Sequence, residues 1–500
     1  MKRNANNTLV LTITNVLNRT IGFAFRIALI RIAGREAVGL WQMIMPLYFF
    51  FLVIASAGLP IAVSRLTAEH KAKGDFRGVQ RVFRTALSLA LILGLAATLA
   101  LSSLAGFFSR QVLSDPRVRL ALIIIAPSLP LVAASAVFRG YFQGIEQMRV
   151  VATSLLLEEV AHVAATITLV KVTLNRGPGL LAAGFAAGWL LSEVVGLGVY
   201  LVAFPLFRVS GAPDNVTFST ATLSRILHLS VPTTAGRLLS SVGQLCQSII
   251  IPTRLRVAGW TASQAAIAYG ELTGMALNLL FLPSLFTVAM AATLLPQVTT
   301  AIAQNRYRQA QAIFLRALTW TALISLPLAA LLITLGKPIC QLLFNSSSAG
   351  ELLAYMAWGG LLLYTQQVSA ATLQGLGKPV LPLITSAIGT IITSSMLFAL
   401  TSVWQIRGVA IGLICGWITT GALSLYLVQR HLPFIDQFWP RLLKITLAAA
   451  LCGIVAHHAY WHCLANSGLI LISLLCAGVG GGFVYLVVAG STIRRQFARQ

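Results

Sequence analysis

Long apolar runs follow one another along the whole chain, with only short polar connections between them. A helix that crosses a membrane needs about 20 mainly apolar residues. Hydrophobic residues make up 57% of the sequence and charged residues only 10%, whereas soluble domains carry about 25% charged residues. Because no soluble core could bury so much apolar surface, the sequence predicts an all-α polytopic membrane protein. About 14 windows meet the length requirement, and they cover residues 9–33, 40–63, 82–108, 120–142, 152–173, 180–204, 227–251, 268–295, 313–336, 351–374, 380–403, 408–428, 442–461 and 468–489.

The net charge is +24, from 36 Lys and Arg against 12 Asp and Glu. Such an excess indicates nucleic-acid binding in a soluble protein, but here the basic residues lie mostly in the short connections, where they determine topology. With the N-terminus inside, the inner connections, among which Arg139 is counted, hold roughly twice as many basic residues as the outer ones. This predicts an even number of spans, both termini in the cytoplasm and no nucleic-acid partner.

Similar helix ends recur at a nearly constant distance along the chain. Gly58-Leu59-Pro60 and Leu295-Pro296 each end a predicted span before a basic connection, and Gln143-Gly144 recurs as Gln374-Gly375. Pro60 and Pro296 are separated by nearly the same length of chain as Gln143 and Gln374, which indicates six spans repeated in the same orientation. Pro and Gly mark helix ends generally, so these matches also have an interpretation without duplication. The repeat predicts two six-helix lobes, residues 1–208 and 209–430, with two further spans and a basic tail in residues 431–500.

The first span carries a polar stripe. Arg19 and Arg26 are seven residues apart and project from nearly the same face of a helix, and Asn15 and Asn18 extend that face. A charge in the bilayer core is costly, so such a stripe is expected to line a hydrated cavity. Guanidinium groups bind phosphate oxygens in a bidentate manner, so these residues are predicted to bind an anionic substrate. The alternative is that the arginines pair with buried carboxylates or extend to the membrane surface.

Arg237, in the seventh span, holds the corresponding place in the second lobe and is predicted to complete the substrate site. Acidic residues also lie inside predicted spans, at Glu158, Glu193 and Glu271. These three are candidates for coupling transport to a Na⁺ or H⁺ gradient, because buried carboxylates can take up a proton. The alternative is that they neutralise the arginines of the first span. Glu159 is adjacent to Glu158 and points about 100° away on a helix, so at most one of the two can face a cavity directly.

Four segments resemble a known family: Val38-Gly-Leu-Trp-Gln-Met-Ile-Met-Pro46, Ser56-Ala-Gly-Leu-Pro-Ile-Ala-Val-Ser64, Arg139-Gly-Tyr-Phe-Gln-Gly144 and Tyr269-Gly-Glu-Leu-Thr-Gly-Met-Ala276. They look like the stage V sporulation protein B group, in the polysaccharide-transporter branch of the MATE/MOP superfamily, which is related to the lipid II flippases. The resemblance implies 14 helices, alternating access and export of undecaprenyl-diphosphate-linked glycans across a bacterial plasma membrane. It also places cavity arginines in the first span, where Arg19 and Arg26 match.

The chain departs from the lipid II flippases near the end of the second span. Those proteins have a further arginine there, whereas this chain has Ala55-Ser56-Ala57-Gly58. The resemblance therefore predicts a lipid-linked anionic glycan as substrate without identifying the glycan.

Transport without enzymatic activity, by a monomer surrounded by membrane lipid, is the expected function. One rival is a MATE-type exporter of cationic drugs, which would need a carboxylate in the first span. A second is a glycan ligase or polymerase, which would need catalytic acids or metal ligands, and a third is a scaffold for an assembly complex. The sequence contains no phosphate-binding loop of the G-x-x-x-x-G-K-[ST] type, and neither a cofactor nor a metal is expected.

Overall fold

The structure is a computed structural model that describes residues 2–56, 58–207 and 219–497. All regular secondary structure within these ranges is helical. The all-α polytopic prediction is therefore confirmed. In chain order, the first helices are α1 (Lys2–Ser56), α2 (Leu59–Ala72), α3 (Phe76–Ser103), α4 (Ala105–Phe107), α5 (Arg119–Ile125), α6 (Ser128–Gly144), α7 (Met148–Thr173), α8 (Pro178–Phe207), α9 (Thr220–Val257) and α10 (Ala262–Gly270). They are followed by α11 (Leu277–Leu280), α12 (Ser284–Ala303), α13 (Tyr307–Phe344), α14 (Ser347–Ala357), α15 (Gly360–Gly375), α16 (Val380–Gln429), α17 (Ile435–Ser467) and α18 (Ile470–Phe497).

Two of these helices each contain two of the predicted spans. The backbone of α1 breaks at Gly34 (φ 82°) and that of α16 at Gln405 (φ 52°), and each break separates two predicted windows. Glycine adopts a positive φ without steric cost, whereas Gln405 does so at a cost of about 1–3 kcal/mol. By length and composition, the described residues contain nine candidate membrane spans, or ten if the pair α5 and α6, bent by 40°, is one span. This number is lower than the predicted 14 partly because the two kinked helices are each counted once.

The chain divides into two compact units, each with its own interior. Unit 1 comprises Met1–Pro252 and Ala262–Gly270, and unit 2 comprises Thr253–Thr261 and Glu271–Gln500. The last two helices belong to unit 2, where α17 packs on α13 and the hydroxyl of Tyr485 in α18 donates a hydrogen bond to the carbonyl of Leu323 at 2.7 Å. The predicted boundary at residue 208 lies outside the described residues.

Each unit contains the same close contact between two helices. In unit 1, a β-carbon added to Gly144 would lie 2.8 Å from the carbonyl oxygen of Ser64 and 2.6 Å from Cβ of Thr67. In unit 2, a β-carbon on Gly375 would lie 3.2 Å from the carbonyl oxygen of Leu295 and 2.9 Å from Cβ of Val298.

The positions in these two contacts correspond one to one. Leu295, Val298 and Gly375 correspond to Ser64, Thr67 and Gly144. Each lies the same number of residues after its counterpart as Gln374 lies after Gln143. This equivalence supports the internal repeat. It favours the register given by Gln143 and Gln374 over the slightly longer one given by Pro60 and Pro296.

Two helices continue past the prolines that were predicted to end them. Pro60 lies in the first turn of α2, which continues to Ala72, and Pro296 lies inside α12, which continues to Ala303. The prediction that these prolines end the second and eighth spans is therefore wrong. A proline is tolerated in the first turn of a helix because the N–H it lacks would have no partner there.

The outer surfaces of both units are apolar, as a membrane requires. Leu99, Val202 and Leu206 in unit 1 are 70%, 74% and 77% exposed, and Val479 in unit 2 is 73% exposed. Contiguous apolar surface of this extent would aggregate in water. Polar side chains such as Glu193 are buried inside the unit. An apolar exterior around buried polar groups indicates that lipid surrounds these helices.

Candidate functional site

The polar stripe of the first span lies on the part of α1 that precedes the break at Gly34. Asn15 and Arg19 are exposed and Arg26 is half-buried. Asn18 is also half-buried, and its side-chain amide donates a hydrogen bond to the carbonyl of Leu155 in α7 at 3.1 Å. The stripe therefore divides, with Asn15 and Arg19 on the more open face and with Asn18 and Arg26 turned towards α7.

Arg26 faces two titratable side chains of α7. Arg26 interacts electrostatically with Glu159 and with His162. Within the described part of the chain, neither Arg26 nor Arg19 forms an ion pair with a carboxylate. The guanidinium of Arg26 is thus held near a negative charge while its N–H donors stay available for a ligand.

Aromatic side chains surround His162. Its ring lies 5.1 Å from that of Phe25 and 5.2 Å from that of Trp189, both in edge-on arrangements. The indole N–H of Trp189 donates to the hydroxyl of Tyr48 at 3.3 Å, and that hydroxyl lies 2.9 Å from the hydroxyl of Ser128. Four helices, α1, α6, α7 and α8, therefore contribute to one polar and aromatic wall beside Arg26.

A second group of charged side chains is buried between α6, α7 and α8. Arg139 of α6 interacts electrostatically with Glu158 of α7 and with Glu193 and Tyr200 of α8. Glu193 is 4% exposed, and a β-carbon on Gly196 would lie 2.7 Å from Oε2 of Glu158. Two carboxylates facing a single guanidinium leave one negative charge uncompensated unless a proton or cation is bound, because an isolated charge is costly inside a membrane protein.

The structure brings together Glu158, Glu193 and the helix that carries Arg139, and it separates Glu158 from its neighbour Glu159. Glu159 points towards Gly22 of α1, whereas Glu158 points towards Gly196 of α8. The prediction that Arg139 lies in an inner connection is wrong, because the residue lies inside α6. The signal that could have found it is its position inside the predicted span 120–142.

Glu271, the third acidic candidate, lies in unit 2 in a different kind of environment. It is 5% exposed and accepts hydrogen bonds from the hydroxyls of Ser346 and Ser348, each at 2.7 Å. Both hydroxyls belong to the turn that begins α14, where Ser346 also accepts from the backbone N–H of Ala349 and so caps the helix.

Unit 1 has a matching contact. Glu36 forms an ion pair with Arg117 at 2.6 Å, and Arg117 forms a second one with the buried Asp115, also at 2.6 Å. Asp115 and Arg117 precede Ser346 and Ser348 at the same offset that relates Gly144 to Gly375. Glu36 and Glu271 therefore bind equivalent parts of the two repeats, which favours a structural role for Glu271.

Arg237 lies on α9 with its side chain exposed. Among the described side chains it forms no ion pair. Its assignment to the substrate site stays a prediction, as do those of Asn15, Asn18, Arg19 and Arg26.

Comparison with known proteins identifies the family. Residues 5–302 match the model of the family described as polysaccharide biosynthesis protein, and residues 240–399 match that of the MatE family. The chain is 27% identical over 460 residues to stage V sporulation protein B of Bacillus subtilis (strain 168), an alignment that covers 90% of this chain and 88% of that protein.

Solved structures share the fold. The lipid II flippase MurJ in an inward closed conformation superimposes with a TM-score of 0.72 at 16% identity, covering 98% of this chain and 100% of that chain. An inward-facing multidrug resistance MATE transporter of the MOP superfamily gives a TM-score of 0.70 at 18% identity, covering 86% of this chain and 99% of that chain. The protein is therefore a multi-pass bacterial membrane protein with the MOP-superfamily fold, and it belongs to the polysaccharide biosynthesis protein family.

Proposed function

We propose that this protein is a flippase that moves an undecaprenyl-diphosphate-linked glycan or peptidoglycan precursor across the plasma membrane by alternating access. The observation that carries the proposal is the half-buried Arg26, which lies beside Glu159 without an ion pair to it. No acidic residue precedes Glu36 in the sequence, so the charged side chains in this half of α1 are all cationic. Relatives whose names refer to lipid II and sporulation support a lipid-linked cell-envelope precursor as the substrate class.

The proposed headgroup site uses the geometry of guanidinium. A diphosphate presents several oxygens to a planar donor that stays charged at any physiological pH. Arg26 and Arg19 bind these oxygens, Asn15 adds a neutral donor, and Asn18 holds α1 against α7 through its bond to Leu155. Arg237 is proposed as a further contact from α9.

Coupling to a H⁺ or Na⁺ gradient is proposed to use Glu158 and Glu193. Their shared counter-ion, Arg139, compensates one of the two carboxylates, and a proton or Na⁺ ion compensates the other. Glu271 was a third candidate in the sequence, and its two serine hydrogen bonds support a structural role instead.

The direct test is translocation of a defined undecaprenyl-diphosphate-linked sugar by the protein in liposomes. Arg26→Gln should lower the rate at least tenfold, because each charge-assisted hydrogen bond contributes about 1.5–3 kcal/mol. Arg26→Lys should recover only part of the rate, because an ammonium group lacks the bidentate geometry. The matched control is Arg176→Gln, which removes an exposed arginine from the α7–α8 connection and should transport normally. Full activity of Arg26→Gln would contradict the substrate site.

Coupling has a separate test. Transport is measured with a H⁺ gradient, with a Na⁺ gradient and with neither, in the wild type and in Glu193→Gln. We expect Glu193→Gln to abolish the dependence on one gradient while substrate binding is retained. If neither gradient affects the wild type, the coupling role of both carboxylates is withdrawn and the flippase proposal still stands.

A MATE-type exporter of small molecules is the second candidate, and the match of residues 240–399 to the MatE model favours it. The two functions are separated in the same liposomes by offering a cationic dye in place of the lipid-linked sugar. Uptake of the dye that depends on Glu193, without movement of the lipid, would favour the exporter.

The orientation is proposed from charge, with both termini in the cytoplasm, and the functional unit is proposed to be a monomer. Single cysteines at Ala72, at the end of α2, and at Asn175, in the α7–α8 turn, both exposed, should react with an impermeant thiol reagent from opposite sides of the membrane. For this test the six native cysteines are first replaced by serine.

A further inference from the structure

A basic cavity of about 400 Å³ lies between the beginnings of α13 and α17 in unit 2. Three arginines line it, Arg308 and Arg316 from α13 and Arg441 from α17, together with Gln311 and Gln437. The side-chain amide of Gln311 also donates to the carbonyl of Pro433, which ties the start of α13 to the connection before α17. The cavity is thus built by two helices that are far apart in the chain.

Both helices present their N-terminal ends to this cavity. Arg308 is the second residue of α13, and Gln437 is the third residue of α17. Helix N-termini carry partial positive charge, which attracts anions. Asp436 neighbours Gln437 but does not line the cavity. The cavity lining therefore combines three guanidinium groups with two helix N-terminal ends and contains no carboxylate.

Apolar surface continues from the basic cavity. Arg316 also lines a groove of about 510 Å³ between α12 and α13, whose other walls include Met290, Ile313 and Trp320. On the α17 side, Trp439 is 65% exposed, and tryptophans of membrane proteins concentrate at the level of the lipid headgroups. A positive cavity that joins an apolar groove at one arginine matches a molecule with a phosphate at one end and a hydrocarbon chain at the other.

We infer that this cavity binds the phosphate headgroup of an anionic phospholipid, with one acyl chain lying in the groove beside Trp320. Basic pockets between transmembrane helices are suited to such headgroups. In the orientation proposed above, the lipid comes from the cytoplasmic leaflet. The site shares no residue with the polar stripe of α1 and involves helices of unit 2 alone. Bound there, the lipid links α12, α13 and α17.

The test is native mass spectrometry of the full-length protein released from membranes that contain phosphatidylglycerol and phosphatidylcholine in equal amounts. The wild type should retain phosphatidylglycerol in preference to phosphatidylcholine. The double variant Arg308→Gln/Arg441→Gln should reduce that preference roughly tenfold or more, because an arginine near an anionic lipid contributes about a factor of five. The matched control, Arg306→Gln/Arg430→Gln, removes the same charge from exposed arginines nearby that do not line the cavity.

A normal lipid preference in the control, together with its loss in the cavity variant, supports the site. Equal losses in the two variants would show that retention follows net charge alone and would overturn it. Displacement of phosphatidylglycerol by millimolar glycerol phosphate would assign the cavity to a soluble phosphate compound instead of a lipid. Because the readout is lipid retention, none of these outcomes depends on whether the protein translocates a glycan.

Discussion

Gly22 of α1 and Glu159 of α7 lie so close together that a β-carbon on Gly22 would be 3.1 Å from Oε1 of the glutamate. This approach brings the Glu159 carboxylate next to the helix that carries Arg26. A small residue at position 22 therefore determines how near the negative charge comes to the guanidinium. The spacing between the arginines of α1 does not reveal this relationship.

Enlarging Gly22 should separate α1 from α7. Gly22→Ala requires a shift of only a few tenths of an ångström and should leave the melting temperature nearly unchanged. Gly22→Leu should destabilise the protein by about 1–3 kcal/mol, the usual cost of overpacking, and should reduce transport. Adding Glu159→Ala to Gly22→Leu should recover stability if the carboxylate is the obstructing group, because residues in contact show non-additive effects. Purely additive melting temperatures would contradict the contact.

Removing Arg139 should be more harmful than removing one of its carboxylates. Arg139→Gln removes the guanidinium charge that interacts with both Glu158 and Glu193. Because the described residues show no direct ion pair to Arg139, the loss should be smaller than the roughly 3–5 kcal/mol of a broken buried pair. Glu158→Gln should cost less, because Glu193 still faces the guanidinium. The triple variant Arg139→Gln/Glu158→Gln/Glu193→Gln should recover much of the loss. Thermal unfolding in detergent measures this order, and a triple variant as unstable as Arg139→Gln would refute the shared counter-ion.

The repeated glycine contact should respond in the same way in both units. Gly375→Ala places a β-carbon 2.9 Å from Cβ of Val298 and should cost about 1–3 kcal/mol. Val298→Gly should compensate for part of this loss, because the Cβ that the added methyl group meets is then absent, whereas the contact with the carbonyl oxygen of Leu295 remains. Gly144→Ala with Thr67→Gly is the corresponding pair in unit 1. In thermal unfolding, each double variant should lose less stability than the sum of its two single changes, because residues in contact are not additive, and additive losses in both units would contradict the repeated contact.

Asp75 should make the start of α3 sensitive to acid. Its carboxylate accepts the backbone N–H of Gly78 at 2.8 Å and lies 2.9 Å from Nδ1 of His70. The backbone hydrogen bond lowers the pKa of Asp75, and the contact with His70 lowers it further. Because the folded-state pKa is below the unfolded value of about 3.9, the stabilisation is complete above that value and is lost as pH falls through the folded pKa.

Hydrogen exchange in the first turn of α3 measures this effect. Protection should fall between pH 5 and strongly acidic pH in the wild type by no more than the loss of a helix cap, about 1 kcal/mol, because solvent screens this largely exposed carboxylate. Asp75→Asn keeps a good cap at neutral pH and should remove the acid dependence at this turn. An unchanged pH profile in Asp75→Asn would show that another group is responsible.

Glu36 and Glu271 should behave as structural residues. Glu36→Gln weakens the ion pair to Arg117, and Glu271→Gln replaces an ionised acceptor of two serine hydroxyls with a neutral one. Both should lower the melting temperature while any gradient dependence of transport is unchanged, in contrast to Glu193→Gln. Loss of gradient dependence in Glu271→Gln alone would return Glu271 to the coupling site.

The sequence by itself determined the membrane environment, the apolar segments that form the long helices and the polar stripe of α1. Each follows from local patterns, because a run of about 20 apolar residues spans the bilayer as a helix and Arg19 and Arg26 must share a helix face. The separation of Glu158 from Glu159 also follows from helix geometry. The repeat is indicated by Gly144 and Gly375, and the packing of these glycines against Ser64 and Leu295 favours its register.

Tertiary structure alone decided which of these residues meet. Arg139, Glu158 and Glu193 are far apart in the chain and come together only because α6, α7 and α8 pack side by side. Tyr48, His162 and Trp189 gave no sequence signal, since single aromatic and histidine residues are common in apolar helices. Packing of distant helices sets these neighbours, and no local spacing encodes it. The position of Arg139 therefore had to be corrected by the structure, whereas that of Arg26 did not.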